Sequence, residues 1–441
     1  MKTKDTIVSL ASPSGVSAVS VIRCSGPNVQ TIIKRFFKKD LEDRVATYID
    51  FIDKKNIIDD VIAILYKGPR SFTGEDMLEI LCHGGPVIYQ TIISSIASIE
   101  EAREAEPGEF SERAFINGKI DLPQAEAICS IINSETIEAA NAARKALSGG
   151  FSEEVISIDK KVLNIRVEIE ALLDFPDEEI EHAGLEDLDG LIKTAVASLD
   201  ELIEKTIARC VLSDGVRAAI LGRPNAGKSS LFNLLLGNDA SIVNKQQGTT
   251  RDVVFASLNL DGAPVFLYDT AGIRKTTDPI EIEGCRRSYI TAENADLIIY
   301  LFDGEEGETL EDKEVVEKIK NMKKPILLVT NKIDLREKKE NQGEIEISAK
   351  ENIGIDLLKK KISEEIALMG RNSSVSVIKN RQLTLLREAK DNILALNISL
   401  NELDLAAEQL KRTQECLVKI LGEEEEDRVL SGIFSNFCIG K

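Results

Sequence analysis

A glycine-rich loop in the middle of the chain constrains the fold more than any other feature. The stretch from Gly222 to Ser229, GRPNAGKS, matches the pattern G-x-x-x-x-G-K-S and directly follows the apolar run RAAIL. In this pattern the loop joins a buried strand to a helix, and its glycines let backbone N–H groups wrap closely around an anion. Apolar runs alternate with helical patterns through residues 211–371, which predicts a mostly parallel α/β sheet around the loop.

Long helical patterns stand on both sides of this α/β segment. Apolar residues from Val155 to Leu172 recur at alternating intervals of three and four, which places one apolar stripe on a long helix. Four leucines recur at every seventh position from Leu396 to Leu417, and we interpret them as a second long helix of the same bundle. The α/β segment is therefore predicted to be inserted into a helical domain.

The first 120 residues have a third character. Short β-rich runs are separated by turns that contain proline or glycine, and VQTIIKRFFKK is typical of an amphipathic helix. A length of 441 residues suggests three domains, at roughly 150 residues each. We predict a multidomain chain of α/β and all-α parts: an N-terminal α+β domain (1–120), a helical bundle domain in two parts (121–210 and 372–441), and an inserted P-loop domain of the Ras-like type (211–371).

Composition narrows the classes of partner and compartment. With 55 Lys and Arg against 75 Asp and Glu, the formal net charge is −20, which disfavours a broad basic surface but leaves room for a small basic patch. Seven scattered cysteines without a C-x-x-C pair, and only two histidines, exclude a disulfide framework and histidine metal clusters. No apolar run is long enough to span a membrane, and a signal-peptide pattern is lacking. A cytoplasmic protein with no membrane association is expected.

Motifs typical of a nucleoside triphosphate site follow the glycine-rich loop. Lys228 would supply positive charge to the β- and γ-phosphates, and the Ser229 hydroxyl would bind Mg²⁺. Thr249 and Thr250 lie about twenty residues further on, where a switch threonine, Thr250, would close over Mg²⁺ and the γ-phosphate. The turn Asp269–Gly272 ends an apolar strand, so that its aspartate can hold Mg²⁺ through water and its glycine N–H can sense the γ-phosphate.

Two further motifs favour guanine as the base. The run NKID, from Asn331 to Asp334, ends an apolar strand, and its carboxylate can accept two hydrogen bonds from guanine that adenine does not offer. The run SAK, from Ser348 to Lys350, would back the base. The predicted GTP-binding residues are Asn225, Ala226, Gly227, Lys228, Ser229, Ser230, Asn244, Gly248, Thr249, Thr250, Asp269, Thr270, Ala271, Gly272, Asn331, Lys332, Asp334, Ser348, Ala349 and Lys350.

The residue that would orient the attacking water is not in its common place. Ile273 follows the turn where many GTPases have a glutamine. Either hydrolysis is slow or another group orients the water. Glu281 is a candidate carboxylate for that role, and the alternative is a solvated charge.

These motifs and both ends of the chain resemble the bacterial tRNA-modification GTPase family MnmE, also called TrmE. The resemblance covers essentially all 441 residues and is carried by SFTGEDMLEILCHGG, EPGEFSERAFINGKIDLPQAEA, DFPDEEI, GRPNAGKSSLFN, GTTRD, DTAGIR and the terminal FCIGK. It implies an N-terminal domain that binds folate and dimerises, a helical domain, and a GTPase domain inserted within it.

The resemblance also implies a GTPase that uses K⁺ in place of an arginine finger. The Asn225 side chain and the backbone carbonyls of Asn244, Gln246 and Thr249 would ligate K⁺ once two GTPase domains meet. A cation there would offset charge developing between the β- and γ-phosphates. The alternative for Asn225 is that it only shapes the loop. Glu281 occupies a position that resembles the family's water-orienting glutamate.

A folate site is implied at the two chain ends. Arg23, Glu79 and Lys119 match folate-contacting positions, and Lys441 matches the fourth; the ligand would be 5,10-methylenetetrahydrofolate, with the 5-formyl analogue also able to bind. Basic side chains suit the polyanionic tail, and a carboxylate suits the N–H groups of the pterin. Cys438 could act as nucleophile or acid in one-carbon transfer, or could be a packed small residue. Both alternatives stay open.

The family's partner is the FAD-containing protein MnmG. The resemblance implies a homodimer that works with MnmG to attach an aminomethyl or carboxymethylaminomethyl group to C5 of the wobble uridine in certain tRNAs. A ribosomal-RNA assembly switch and a signalling switch are the alternatives; the GTPase motifs fit them equally, but neither needs a folate pocket. The run Lys34–Lys39, KRFFKK, could contact RNA, although a solvated helix face with core aromatics is the favoured interpretation.

Overall fold

The computed structural model describes residues 5–174, 183–237, 255–269, 288–335, 345–371, 381–396, 403–423, 427–435, 437 and 440. The chain divides into two compact units. The first comprises Met1–Cys129, Leu147–Ser152 and Val418–Lys441, and the second comprises Ser130–Ala146 and Glu153–Leu417. The last helix of the chain thus belongs with the N-terminal residues, whereas most of the predicted helical domain groups with the inserted α/β segment.

A six-stranded mixed sheet forms the centre of the first unit. Its strands are β1 (Thr6–Leu10), β2 (Val19–Ser25), β3 (Thr47–Asp53), β4 (Asn56–Tyr66), β5 (Met77–His83) and β6 (Ala102–Glu104), in the order β3-β4-β5-β2-β1-β6. All neighbours are antiparallel except β1 and β6. The helices of this unit are α1 (Val29–Phe36), α2 (Pro86–Ala97), α3 (Glu109–Ile116), α4 (Leu122–Ile132) and α14 (Asp427–Phe434).

The alternation of β5 explains the two layers of this unit. Leu78, Ile80 and Cys82 are buried in a core with the apolar faces of α1 and α2. Residues of the opposite parity point to the other face, where Met77 packs with Ile7 and with Phe110 of α3. The same parity puts Glu79 on this second face, directly opposite Arg23 of β2.

The second unit contains the predicted parallel sheet. Its strands are β7 (Val216–Gly222), β8 (Phe255–Leu260), β9 (Ala263–Asp269), β10 (Leu297–Asp303), β11 (Ile326–Asn331) and β12 (Ile345–Glu346), in the order β12-β11-β10-β7-β9-β8. Every neighbouring pair is parallel except the β8–β9 hairpin. Helices α8 (Lys228–Leu236), α9 (described over 288–294), α10 (Leu310–Lys320) and α11 (Ile355–Arg371) accompany it.

Long helices complete this unit: α5 (Ile137–Leu147), α6 (Gly150–Asp174), α7 (Ala183–Asp214), α12 (Arg381–Leu394) and α13 (Leu403–Leu421). The predicted stripe on α6 is buried from Val155 to Ile169. The seven-residue pattern near the C-terminus is buried on α13 at Leu403, Leu410 and Leu417, but Leu396 lies after the end of α12 and not on the same helix. Periodicity alone does not reveal where one helix ends and the next begins. Among the described helices, none is both long and apolar enough to cross a bilayer.

Candidate functional site

The glycine-rich loop joins the end of β7 to the start of α8. Gly222 and Gly227 have φ angles of 148° and 90°, and Asn225 has a φ of 66°, so the loop turns through backbone conformations that favour glycine and asparagine. A Cβ atom on Gly222 would lie 2.5 Å from the Leu301 carbonyl oxygen of the neighbouring strand. The main chain therefore passes close to β10, and the N-terminus of α8 opens into the loop.

Lys228, at the first position of α8, is held inside the loop. Its Nζ donates to the carbonyl oxygens of Gly222 at 3.1 Å and Arg223 at 2.8 Å, and the residue is 7% exposed. Ser229 and Ser230 follow on the exposed side of the same turn. A fixed ammonium group, two exposed serines and the N–H groups of a helix N-terminus together make an anion-binding site.

Asn331, the last residue of β11, connects this loop to the predicted base-binding segment. Its Nδ2 donates to the Ala226 carbonyl oxygen at 2.8 Å, and its Oδ1 accepts from the Ala349 N–H at 3.0 Å. A Cβ atom on Gly227 would lie 2.2 Å from the Asn331 Nδ2, so any side chain there would displace the amide. The structure thus brings the two predicted motifs and the loop together through one buried side chain.

Asp334 is oriented by the segment that follows β12. The Ser348 hydroxyl donates to its Oδ1 at 2.6 Å, and this hydrogen bond, more than the nearby charges of Lys350 and Lys332, lowers the pKa of Asp334. Ser348 in turn accepts from the Glu351 N–H at 3.1 Å. The carboxylate is therefore ionised at neutral pH, as an acceptor for two base N–H donors must be.

Sequence reasoning missed the ion pairs that surround these motifs. Lys332 Nζ lies 2.6 Å from Asp303 Oδ2, and Arg223 Nη1 lies 2.8 Å from Glu306 Oε2. Asp303 ends β10 directly opposite Asn331. Its position at the end of an apolar run was the one sequence feature that could have predicted a charged residue at this site. The carboxyl ends of parallel strands meet at one edge of a sheet, which is where ligands bind in open α/β folds.

The first unit contains a second cluster of predicted residues. Arg23 Nε donates to Glu79 Oε1 at 2.8 Å, and the Tyr66 hydroxyl donates to Glu79 Oε2 at 3.1 Å. Gly440 lies beside them, with its carbonyl oxygen 3.5 Å from Arg23 Nη1. The pKa of Tyr66 is raised, first by burial and then by the Glu79 charge. Lys119 makes a different contact, donating from Nζ to the Pro69 carbonyl oxygen at 3.0 Å.

Comparison with known proteins assigns the whole chain. Residues 122–438 match the family model described as MnmE helical domain, and residues 6–119 match GTP-binding protein TrmE N-terminus. The tRNA modification GTPase MnmE of Mannheimia succiniciproducens is 37% identical over 454 residues, with 100% of each chain covered. The chain belongs to the MnmE family. The tRNA modification GTPase MnmE of Francisella tularensis subsp. novicida is 38% identical, again over 100% of both chains.

Membership of the MnmE family confirms the predicted fold class: a TrmE-type N-terminal α+β domain, a helical domain, and a Ras-like P-loop domain inserted in it. Among solved structures, Era of Aquifex aeolicus bound to GDP and aluminium fluoride is 26% identical and covers 42% of this chain and 70% of that chain. Its TM-score of 0.30 supports no structural inference.

The motifs that carried the MnmE resemblance in the first unit turn out to build an ion cluster. Arg113 is 1% exposed and contacts carboxylate oxygens of Asp5 at 2.9 Å, Glu75 at 3.2 Å and Glu109 at 2.9 Å. Arg103 binds Glu109 and Asp5 from the other side. Burial by itself would raise the pKa values of Asp5 and Glu109, but the two arginines outweigh it, and both pKa values are lowered.

Several predicted residues of the MnmE-type sites lie outside the described residues. They are Asn244, Gln246, Gly248, Thr249, Thr250, Thr270, Ala271, Gly272, Glu281, Cys438 and Lys441. Asp269 ends β9, but only its backbone is described. The water-orienting, one-carbon and K⁺ roles of these residues, and most of the Mg²⁺ ligands, therefore stay predictions.

The described part of the phosphate site nevertheless suits both cations. The Ser229 hydroxyl is exposed on the first turn of α8, where a Mg²⁺ ligand next to the phosphates must lie. The Asn225 side chain is exposed on the loop, and among the described residues no hydrogen bond occupies its amide. A hydroxyl and an amide carbonyl are both oxygen donors, which hard cations prefer.

Proposed function

We propose that this chain is the GTP-hydrolysing subunit of a complex that modifies C5 of the wobble uridine in tRNA. Its partner would be the FAD-containing protein MnmG, and its one-carbon donor a tetrahydrofolate. The observation that carries the proposal is the full-length match to proteins named tRNA modification GTPase MnmE, together with a guanine-nucleotide geometry at the sheet edge. Because its substrate is tRNA, the protein works in the cytoplasm.

The phosphate loop binds GTP through groups that are already oriented. The Lys228 ammonium, held by two main-chain carbonyls, meets the β- and γ-phosphates, and the N–H groups of the loop and of α8 surround them. Asp334 accepts from the guanine, and Asn331 ties the base segment to the loop. Such preorganisation limits the ordering that binding requires.

Hydrolysis requires charge stabilisation and an oriented water. Mg²⁺ and K⁺, when bound, supply positive charge to the phosphate oxygens. Ser229 and Thr250 would hold Mg²⁺. Asn225 would hold K⁺ together with Asn244, Gln246 and Thr249, after contact between two GTPase domains of a homodimer. Glu281 would orient the attacking water, since Ile273 has no polar group for that task.

A folate would bind beside the Arg23–Glu79 pair. The carboxylate can accept from the N–H groups of the pterin, and Lys119 and Lys441 offer charge to the anionic tail. The approach of Gly440 to Arg23 supports a site that the chain end completes. Cys438, two residues before Gly440, acts there either as a nucleophile or acid in one-carbon transfer or as a packed small residue.

Mass spectrometry of tRNA nucleosides tests this proposal. Cells that lack the gene are compared with cells in which the wild-type chain, Lys228→Ala, or the control Lys320→Ala is restored. Lys320 is exposed on α10 and has no role in the phosphate site. We expect the C5-aminomethyl family of wobble uridines to disappear and to return with wild type and Lys320→Ala, but not with Lys228→Ala. An unchanged nucleoside profile in the deletion would refute a role in tRNA modification.

The same strains address the second class of function. A GTP-switched ribosome-assembly factor would leave the wobble uridines intact and would shift the ratio of ribosomal subunits instead. The Arg23–Glu79–Tyr66 network favours the enzyme, because an assembly switch has no use for a folate site.

A further inference from the structure

One corner of the first unit carries an unusual concentration of unpaired positive charge. Exposed basic side chains lie on the outer side of α1, in the short stretch that follows its end, and in the turn between β3 and β4; they are Lys34, Arg35, Lys38, Lys39, Lys54 and Lys55. Among the described residues none of these six has an ion-pair partner. Other exposed basic residues do pair, as Lys205 with Glu201 and Lys193 with Asp189.

Aromatic packing holds the two basic segments on one rigid surface. Phe36 and Phe37 pack against Phe51 of β3, with ring centroids 4.8 and 5.6 Å apart. Lys38 follows Phe37 directly, and Lys54 lies three residues beyond Phe51, which is about 10 Å along a strand. The end of α1 and the β3–β4 turn therefore both lie within a few residues of this aromatic packing. We name the six side chains the α1–hairpin patch.

A polar cavity lies next to the α1–hairpin patch. It has a volume of about 440 Å³ between the β3–β4 turn and α2, and its lining includes Lys54, Gln90, Thr91, Ser94 and Ser98. Asp53 also lines it and accepts a hydrogen bond from Ser95 at 3.1 Å. Thr91 and Ser98 donate to the carbonyl oxygens of Val87 and Ser95, each at 2.6 Å, so their hydroxyl oxygens are acceptors for sugar hydroxyls. Lys54 and Gln90 offer donors for phosphates.

This corner is less acidic than the chain as a whole. Over residues 29–60 seven basic residues, the six of the patch and Arg44, balance seven acidic ones, in a protein of formal net charge −20. Phe36 and Phe37 are 0% and 3% exposed, so the aromatic residues of the run KRFFKK are not available to stack on bases. This surface would recognise a ligand by its negative charge and its sugar groups, not by its base sequence.

We propose that the α1–hairpin patch binds the phosphate backbone of the tRNA substrate. The inference rests on the proposed function, which names tRNA as the substrate, and adds where the protein contacts it. Lysine and arginine side chains neutralise phosphates, and the Gln, Ser and Thr groups of the cavity contact ribose 2′-hydroxyls. The contact is electrostatic and independent of sequence. Because this contact does not depend on base sequence, other surfaces of the complex would select particular tRNAs.

The test compares two full-length variants that lose the same number of charges. The patch variant carries Lys34→Gln, Lys38→Asn, Lys54→Asn and Lys55→Asn; asparagine is used where φ is positive, at 54°, 48° and 75°, to avoid backbone strain. The control carries Lys313→Gln, Lys320→Gln, Lys359→Gln and Lys360→Gln on α10 and α11. Affinity for an unmodified tRNA transcript is measured by fluorescence anisotropy at several salt concentrations.

We expect the patch variant to bind tRNA on the order of 10- to 100-fold more weakly at low salt, and its plot of log affinity against log salt to be shallower by about two or more. The control should change less than about threefold. Equal losses in both variants, or no loss in the patch variant, would overturn the proposal. GTP hydrolysis should be unchanged in both.

Vesicle binding distinguishes a surface that binds tRNA from one that binds a membrane. Nucleoside profiles distinguish a failure of the α1–hairpin proposal from a failure of the proposed function. Binding of wild type to vesicles containing phosphatidylserine, lost in the patch variant while tRNA affinity is retained, would assign the surface to a membrane and overturn the proposal. If the wild-type chain binds no tRNA and its deletion leaves wobble uridines unchanged, the proposed function itself fails. If wobble uridines depend on the gene but the patch variant binds and supports modification normally, only the present inference fails.

Discussion

The phosphate site of the second unit and the Arg23–Glu79 site of the first unit place charge in different ways. Lys228 is held by carbonyl groups of its own loop, and that loop is one continuous stretch of eight residues. Arg23 and Glu79 are 56 residues apart, yet their side chains are paired at 2.8 Å without any ligand. A site built from backbone can be recognised in a sequence, whereas a site built from side-chain pairs depends on the sheet register that brings them together.

The two units also differ in how their charged groups contribute to folding stability. The first unit also contains the ion cluster around Arg113, in which each buried charge depends on its partners. In the phosphate loop the Lys228 ammonium is held by two carbonyl oxygens of its own loop, beside the predicted position of the phosphates. Substitutions in the Arg113 cluster should therefore destabilise the fold of the first unit. Substitution of Lys228 should reduce GTP hydrolysis without unfolding the protein.

The largest expected effect is on the folding of the first unit. Arg113→Met leaves the carboxylates of Glu109 and Asp5 without their buried partner and should destabilise this unit by about 3–5 kcal/mol. Hydrogen–deuterium exchange of the full chain in a urea series measures this unit separately. Arg166→Met, which removes a half-exposed pair with Glu170 on α6, is the control and should cost less than about 1 kcal/mol. Equal destabilisation by Arg113→Met and Arg166→Met would contradict a stabilising role of the buried ion cluster.

Turnover of GTP should respond most strongly to Lys228. In Lys228→Ala the phosphates lose their fixed cation, and hydrolysis should fall on the order of 10²- to 10³-fold. Phosphate release at saturating GTP measures it, with Lys320→Ala as the control. Exchange protection of the first unit should stay as in wild type. A loss of that protection would contradict the assignment of Lys228 to the ligand alone.

Base recognition should depend on the charge of Asp334. Asp334→Asn replaces a carboxylate that accepts from the base with an amide and should weaken GTP binding on the order of 10- to 100-fold. Binding of a fluorescent GDP analogue measures it. Binding of the corresponding xanthine nucleotide should improve, because the new N–H group can donate to the extra xanthine oxygen. Equal affinity for both bases in the variant would remove Asp334 from base selection.

A smaller effect is expected at the Arg23–Glu79 site. Tyr66→Phe removes the hydroxyl that donates to Glu79 and should weaken binding of 5-formyltetrahydrofolate by about 1 kcal/mol, roughly fivefold. Tyr48→Phe is the control, because Tyr48 lies 74% exposed on β3. Isothermal titration calorimetry of the full chain measures both. Unchanged affinity in Tyr66→Phe would mean that Arg23 alone orients the carboxylate.

The smallest expected effect is on acid stability. Asp5 and Glu109 have pKa values lowered in the folded state, so their contribution is present above about pH 4, the range of unfolded carboxyl groups, and is lost as pH falls through the folded values. Exchange protection of the first unit should therefore decrease below about pH 4. In Arg113→Met this part of the pH dependence should become flatter. An unchanged pH profile would show that the cluster does not set it.

Local patterns predicted much of this molecule. The α6 stripe from Val155 to Ile169 is buried as its spacing requires, and the loop GRPNAGKS joins a strand to a helix as its glycines require. Leu396 shows the limit of such patterns, because a repeat of seven continues across the end of a helix without marking it. The roles of Glu281, Cys438 and the K⁺ ligands came from resemblance alone and stay predictions.

The order of the domains, the phosphate loop and the family could be recognised from the amino-acid sequence, because each is carried by contiguous residues or by one periodicity. Which charges form pairs is known only from the folded chain. It paired Lys332 with Asp303, set Tyr66 on Glu79, buried Arg113 among three carboxylates, and left the α1–hairpin patch unpaired among the residues described. These contacts join distant segments through sheet register and helix packing. The residues next to a charged side chain in the sequence do not indicate which residue will be its partner.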